Sequence, residues 1–345
     1  MGTSAPRRAA VALAAAATLA STGSAYVGAR NLLTGQAEQA RRVIPKSWDV
    51  PPRADGVYSP GGGPVERWHR GVPFDLHLMI FGDSTATGYG CESADEVPGV
   101  LLARGLAEAS GRRIRLSTKA IVGATSKGLS GQIDAMFVAG PPPDAAVIMI
   151  GANDITQPNG IGPSARRLGR GVQRLRASGA VVAVGTCPDF GVITAIPQPL
   201  RWVARGRGLR LARAQAAQVR LAGGIPVPFS DLLAPHFYKT PELLFSPDMF
   251  HPSAAGYALA TMQLLPALCH ELGESVAATP AEPALKSKTA EDGSVFARIS
   301  GLSRLWRRST GVPAPVLGGA PALAQGGAPA LAQGRVPTST LDAAG

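Results

Sequence analysis

The fold is most strongly constrained by an alternation of short apolar runs with longer mixed segments, which begins at Asp75. Most of these runs are almost continuously aliphatic, which is typical of strands buried on both faces of a sheet. The apolar runs lie at 76–81, 114–121, 145–150, 180–185 and 225–229. Helical segments follow each run, and the last, at 253–272, has Ser253 as a suitable N-cap. This order predicts a three-layer α/β/α sandwich around a five-stranded parallel sheet.

The segments on either side of the predicted domain, 75–273, have a different character. Residues 30–74 are rich in Pro and Gly without a sustained period, which indicates a linker or an arm that wraps the domain. Residues 274–345 are rich in Ala, Pro and Gly, and the octamer "GGAPALAQ" occurs there twice in succession. This composition predicts a low-complexity, disordered tail.

The first 29 residues have the features of an export signal. Arg7 and Arg8 precede a compact apolar stretch, and the small residues before Tyr26 suit cleavage after Ala25. We favour a cleaved signal peptide over an uncut membrane anchor, because the stretch is rich in Ala and therefore less apolar than most spans. Both interpretations place the protein outside the cytoplasm, in the cell envelope or secreted.

The net charge of +11 is a weak argument for a nucleic-acid partner, because no recognition motif accompanies it and aromatic residues make up only 5% of the chain. An anionic membrane or cell-wall surface is a better match to an exported protein. The Arg-rich segment 201–215, which includes Trp202, either lies on such a surface or has an Arg-rich face in solvent. Gly206 and Gly208 are expected to weaken the start of a helix there.

Three cysteines are too few for a disulfide scaffold. Cys91 and Cys187 both follow strands and are expected at the same edge of the sheet, so one hypothesis is a disulfide between them. The alternative is that all three cysteines are small buried hydrophobic residues.

The first strand ends in "MIFGDSTATG", which places Ser84 on a glycine turn after a buried run. This is either an ordinary loop or the site of a nucleophile, and a nucleophilic serine needs a base held by an orienting group. Among the five histidines, His251 is the best candidate for that base. It precedes the last helix, and Asp248, three residues earlier, is able to reach its Nδ1 atom.

Acyl transfer also requires hydrogen-bond donors for a tetrahedral oxyanion. Gly123 follows the second strand and Asn153 follows the third, both at the edge of the sheet where Ser84 is expected. Each also has an ordinary explanation, Gly123 as a turn glycine and Asn153 as a polar loop residue.

Taken together, these blocks resemble the GDSL, or SGNH, hydrolase family. The blocks that carry the resemblance are Gly82-Asp83-Ser84, Gly123, Gly151-Ala152-Asn153-Asp154 and Asp248-Met249-Phe250-His251. The resemblance spans about residues 76–272 and implies a flavodoxin-like sandwich that hydrolyses esters or thioesters without a metal or other cofactor. Thr85 departs from the family pattern, where a Leu is usual.

The resemblance also implies a role for each matching residue. Ser84 would be the nucleophile, His251 the base and Asp248 its orienting carboxylate, and the oxyanion donors would be Ser84, Gly123 and Asn153. Gly82 and Asp83 would support the nucleophile turn.

The regions between the blocks match no subfamily, so two substrate classes remain open. One is a lipid or short-acyl ester and the other is an O-acetylated envelope polysaccharide. A non-catalytic envelope-binding protein on the same fold is a further alternative, but it requires the loss of a catalytic residue and none is missing.

Overall fold

The computed structural model describes residues 25–40, 42, 51–53, 55–138, 140–157 and 159–274. The predicted tail beyond Glu274 and nearly all of the predicted export signal lie outside these residues. Among the helices within them, none is both long and apolar enough to cross a membrane.

The described residues form one six-stranded sheet of order β1-β3-β2-β4-β5-β6. The strands are β1 (Gly56–Tyr58), β2 (Leu76–Gly82), β3 (Ile114–Thr118), β4 (Ala145–Met149), β5 (Val181–Gly185) and β6 (Ile225–Val227). The five predicted strands, β2 to β6, are parallel to one another, as expected. The carboxyl ends of β2 to β6 therefore meet at one edge of the sheet.

The sheet also has an edge strand, β1, that the sequence pattern did not indicate. It pairs antiparallel to β3, with Gly56 opposite Leu116, and lies in the segment predicted to be a linker or arm. Val57 and Tyr58 are each only 1% exposed, so pairing and packing bury a run too short to show a period. The predicted count of five strands is therefore one too low.

Helices cover both faces of the sheet. They are α1 (described over 25–40), α2 (Ser84–Thr87), α3 (Pro98–Ser110), α4 (Leu129–Val138), α5 (Ala152–Thr156), α6 (Ile161–Ala177), α7 (Leu200–Leu221), α8 (Phe229–Leu232), α9 (Ala234–Lys239), α10 (Pro241–Leu244) and α11 (Ala254–Glu271). Leu78 and Ile80 of β2 pack in the core that includes α3 and α11, whereas Met79 and Phe81 pack against α4 and α6. Because both faces are buried, the strand is apolar at every position except His77, which is itself only 1% exposed.

Helix α7 is longer than its glycines led us to expect. It begins at Leu200 and runs through both Gly206 and Gly208. A Cβ atom at Gly208 would lie 3.2 Å from the Phe190 ring and 3.4 Å from the Pro188 carbonyl oxygen. The glycine therefore allows α7 to pack closely on the loop that follows β5, and this packing outweighs its low helix propensity.

The predicted disulfide between Cys91 and Cys187 is not present, because all three cysteines are free, buried thiols. The two residues do follow strands that end at the same edge, but β4 separates β2 from β5. Two strand spacings amount to about 10 Å, whereas bridged cysteines have Cα atoms within ~7 Å. Burial raises the pKa of the Cys91 thiol to about 12, so this side chain stays protonated at neutral pH.

Candidate active site

The nucleophile turn begins where β2 ends, at Gly82. Its φ of 139° and the position of a would-be Cβ, which would overlap the Met149 carbonyl oxygen, both require glycine. The Gln132 side chain of α4 fixes the Gly82 backbone by two hydrogen bonds. Its Oε1 accepts the Gly82 N–H and its Nε2 donates to the Gly82 carbonyl, both at 2.8 Å. Asp83 then caps α2 by accepting the Thr85 N–H at 3.0 Å. The turn therefore presents Ser84 at the carboxyl edge of the sheet, as predicted.

The loop before α11 brings His251 to this serine. The Nε2 atom of His251 lies 3.2 Å from Ser84 Oγ, and its Nδ1 lies 2.7 Å from Asp248 Oδ2. The other carboxylate oxygen of Asp248 accepts the backbone N–H groups of Phe250 and His251, each at 2.9 Å, and the Ser246 hydroxyl at 2.8 Å. Asp248 is thus fixed by four hydrogen bonds and orients the imidazole with Nε2 towards Ser84.

The two aspartates near the serine have opposite pKa shifts. Burial raises the pKa of Asp248, but the hydrogen bonds from the His251 ring and from the His251 and Phe250 N–H groups outweigh burial and lower it to about 2. Burial raises the pKa of Asp83 to about 6, because the hydrogen bonds from Thr85 and Gly151 and the nearby His251 offset burial only in part. Asp248 is therefore an anion at neutral pH and is suited to stabilise a protonated imidazole.

Gly123 and Asn153 lie in the wall of the cavity onto which Ser84 opens. Gly123 has a φ of 78°, and a Cβ there would meet nothing within 4 Å, so its backbone faces open space. Within the described residues, the Ser84 and Gly123 N–H groups have no acceptor. Asn153 donates one N–H to the Ala124 carbonyl at 3.0 Å. Its amide has two donors, so one remains for a ligand.

Asp154 is a residue for which sequence reasoning assigned no role. It is 1% exposed and accepts hydrogen bonds from the Ser126 N–H at 2.8 Å, from the Ser126 hydroxyl at 2.7 Å and from the Ser164 hydroxyl at 2.8 Å. These bonds tie the loop that carries Gly123 to helix α5, which carries Asn153, and to the start of α6. Its place in "GAND" was visible in the sequence, but its partners are distant along the chain.

The cavity beside Ser84 has a volume of about 660 Å³, within the usual range for ligand sites. Its walls are mostly apolar and come from the segment between β5 and α7, from α8 and α9, and from α1. The apolar lining includes Phe190, Ile193, Ile196, Val203, Phe229, Leu233 and Phe237. Within the described part of the chain, no group of three or more His, Cys, Asp and Glu side chains is arranged to hold a metal ion.

Helix α1 contributes Ala37 and Ala40 to this cavity, and Ala40 is only 6% exposed. Gln36 fixes the helix to the segment that leads into α7, since its Oε1 accepts the Leu200 N–H at 3.0 Å and its Nε2 donates to the Gln198 carbonyl. The segment after the predicted export signal is therefore part of the cavity wall.

A parallel α/β sandwich that brings a serine, a histidine and a buried carboxylate together at its carboxyl edge has the architecture of a serine hydrolase. Residues 80–259 match the family model of the GDSL-like Lipase/Acylhydrolase family. The chain is 68% identical over 306 residues to the GDSL-like esterase Rv1075c of Mycobacterium tuberculosis, covering 88% of this chain and 96% of that protein. The chain therefore belongs to the GDSL-like lipase/acylhydrolase family and is an ester-hydrolysing serine hydrolase.

Solved structures of lower identity are also similar. The psychrotrophic esterase EstA from Pseudoalteromonas sp. is 20% identical, with a TM-score of 0.45 over 58% of this chain and 100% of that chain. The lipase/acylhydrolase from Enterococcus faecalis is 19% identical, with a TM-score of 0.46 over 59% of this chain and 100% of that chain.

Proposed function

We propose that the protein is an exported esterase in which Ser84, His251 and Asp248 act as a catalytic triad on carboxylic esters. The observation that carries the proposal is the continuous contact from Ser84 Oγ to His251 Nε2 at 3.2 Å and from His251 Nδ1 to Asp248 at 2.7 Å. This is the order that a general base and its orienting carboxylate require.

In the first half of the reaction, Ser84 Oγ attacks the ester carbonyl carbon while His251 Nε2 takes the hydroxyl proton. The ionised Asp248 stabilises the imidazolium that forms. The tetrahedral intermediate then collapses, the bond to the alcohol oxygen breaks, and His251 gives its proton to the departing alcohol. In the second half, His251 removes a proton from water, whose oxygen attacks the acyl-serine, and the carboxylic acid leaves as Ser84 recovers its proton.

The developing oxyanion needs donors that are already in position, since donors that must reorganise stabilise it less. The proposed donors are the Ser84 N–H, the Gly123 N–H and the second Nδ2 hydrogen of Asn153. In support, the two backbone groups have no acceptor among the described residues. The Ala124 carbonyl and the Asp154 bonds also restrict the loop that carries Gly123 and helix α5, which carries Asn153.

The cavity supports lipid or other acyl-chain esters as substrates over acetylated polysaccharides, because its mostly apolar wall suits an alkyl chain better than the hydroxyl groups of a sugar. Placement at a membrane would fit such substrates. Trp202, in the first turn of α7, is 71% exposed, and Arg201 precedes it. We propose that this end of α7 contacts an anionic bilayer. Trp202→Ala should lower co-sedimentation with phosphatidylglycerol vesicles, and unchanged sedimentation would contradict this contact.

The test of the esterase function is hydrolysis of p-nitrophenyl esters from acetyl to palmitoyl by the wild type and by Ser84→Ala. Ser178→Ala is the matched control, because its hydroxyl donates to the Leu175 carbonyl at the end of α6, outside the cavity. We expect the first variant to lose turnover while it keeps its circular dichroism spectrum, and the control to keep turnover. Turnover retained by Ser84→Ala would mean that another group is the nucleophile.

Export is tested separately by fusing residues 1–29 to a periplasmic alkaline phosphatase reporter. Activity outside the cytoplasm is expected, and reporter confined to the cytoplasm would contradict export. A shorter chain on blotting would indicate cleavage, whereas full length in the membrane fraction would indicate an anchor.

A further inference from the structure

One wall of the cavity carries a cation that is not paired with any carboxylate of the described residues. Arg207 of α7 lines the cavity, and its Nη2 donates to the Asn159 carbonyl at 3.3 Å. Among the described residues, its buried Nε has no hydrogen-bond partner, and no acidic group forms an ion pair with the Arg207 side chain within 4 Å. The side chain as a whole is only partly buried, so the Nη end of this guanidinium is available to an acceptor that enters the cavity.

The acidic groups in the cavity lining are already engaged. Asp189 accepts from Arg205 Nε through both carboxylate oxygens, at 3.1 and 3.0 Å. Asp83 is bound in the nucleophile turn, where its two carboxylate oxygens accept the Thr85 and Gly151 N–H groups at 3.0 and 3.3 Å. Arg207 on the helical wall is therefore the cationic side chain that the cavity presents to a ligand.

The position of Arg207 fits recognition of a group some distance from the ester. Gln215 of the same helix donates to the Ile150 carbonyl at 2.8 Å and accepts the Cys187 N–H at 2.7 Å, so it lies level with the carboxyl ends of β4 and β5. Arg207 precedes Gln215 by two turns and lies ~12 Å further along the helix axis. Arg207 therefore lies in the part of α7 that extends beyond the sheet edge where Ser84 lies, and it lines the same cavity as Ser84.

We propose that the natural substrate is an ester that carries an anionic group, a carboxylate or a phosphate, and that Arg207 binds this group through its Nη atoms. A guanidinium presents paired donors that match the oxygens of either anion. The inference rests on the proposed esterase function and assigns Arg207 as a specificity-determining residue that takes no part in the bond-making steps.

The kinetic test compares matched neutral and anionic esters. The carboxylate arm uses p-nitrophenyl octanoate and the p-nitrophenyl monoester of suberic acid, which has the same chain length with a terminal carboxylate. The phosphate arm uses 1-monooleoylglycerol and its 3-phosphate. The arm that responds to Arg207 identifies which anion, and which half of the ester, the protein recognises.

We expect Arg207→Gln to lower kcat/KM for the anionic member of one pair by about 10- to 100-fold, mainly through KM, because one charge-assisted contact is lost. The neutral esters should change by less than about 2-fold, and Arg207→Lys should recover part of the loss. Arg213→Gln is the matched control, since this arginine is exposed on the same helix and does not line the cavity. Equal effects on both members of each pair would overturn the proposal.

A binding measurement keeps the inference testable apart from catalysis. Octyl phosphate and octanoate are titrated by calorimetry into the wild type, Arg207→Gln and Ser84→Ala. At least one ligand should bind the wild type and Ser84→Ala similarly and bind Arg207→Gln at least about 10-fold more weakly. Binding of both ligands that is indifferent to Arg207 would overturn the inference even if the enzyme hydrolyses esters. Conversely, Arg207-dependent binding without Ser84-dependent turnover would leave the anion site intact and remove the esterase function.

Discussion

Gln132 is the side chain whose removal most directly tests how the nucleophile turn is held. It is 2% exposed and bonds both backbone groups of Gly82 at 2.8 Å. The Gly82 carbonyl also accepts the Ile121 N–H at 3.1 Å, whereas the Gly82 N–H has Gln132 as its acceptor. In Gln132→Met, which has a similar volume, the carbonyl therefore keeps a partner and the buried N–H does not.

The expected loss of stability in Gln132→Met follows from this difference between the Gly82 carbonyl, which keeps a partner, and the Gly82 N–H, which does not. Leaving the buried Gly82 N–H without an acceptor costs ~1–3 kcal/mol, and the net loss of the hydrogen bond from Gln132 to the Gly82 carbonyl adds ~0.5–1.5 kcal/mol. We therefore expect a loss of ~2–4 kcal/mol in the free energy of unfolding. For a domain of this size this corresponds to a fall in Tm of ~5–15 °C. Activity per folded molecule should also fall, because Gly82 sets the direction in which Ser84 leaves β2.

Urea denaturation followed by circular dichroism measures the stability change, and p-nitrophenyl ester hydrolysis well below the transition measures the activity. Gln218→Met is the control, because the Gln218 side chain makes no hydrogen bond within the described residues and is only partly buried. A Gln132→Met protein within about 0.5 kcal/mol of the wild type would refute the reasoning, since an unsatisfied N–H would then carry no measurable cost.

Three further predictions concern the oxyanion donors, pH and the cavity wall. Asn153→Ala should lower kcat by ~10² or more with little change in KM, and an unchanged kcat in steady-state assays would exclude the donor role. The folded-state pKa of Asp83, about 6, lies above its ordinary value of 3.8, so its contribution to stability falls by ~3 kcal/mol as pH rises from about 4 to above 6. The stability of Asp83→Asn relative to the wild type should rise over that interval, and a difference that does not vary with pH in urea titrations would contradict the shift. Deleting residues 1–42 removes the α1 part of the cavity wall and should raise KM for octanoyl esters more than for acetyl esters. The control deletion of residues 1–24 should leave both KM values unchanged. Equal KM values for the two deletions would show that α1 does not shape the site.

Much of this architecture could be predicted because it has a local signature. The parallel strands are short apolar runs, and Ser84 and His251 lie in short blocks with characteristic neighbours. Asp248 was found because it orients His251 across only three residues. Such contacts depend on nearby sequence, and their spacing is visible without the fold.

The parts that could not be predicted depend on contacts between distant segments. Gln132 is a polar residue in an otherwise ordinary helix, and nothing near it indicates that it reaches Gly82. Arg207 is one arginine among several on α7, and only the folded helix shows that it faces the cavity. The disulfide hypothesis failed for a related reason, since a shared sheet edge does not specify how many strands separate two cysteines.

The edge strand β1 has a consequence for solubility. An unpaired strand edge is a template for another chain, and both edges of this sheet are protected. On one side, β1 covers β3, and its own outer edge is occupied where Val57 and Glu66 exchange two backbone hydrogen bonds. On the other side, β6 is only three residues long and contains Pro226, which has no N–H to donate. Removing β1 would expose β3 and is expected to favour intermolecular sheet formation at high protein concentration, so the arm protects the enzyme from aggregation.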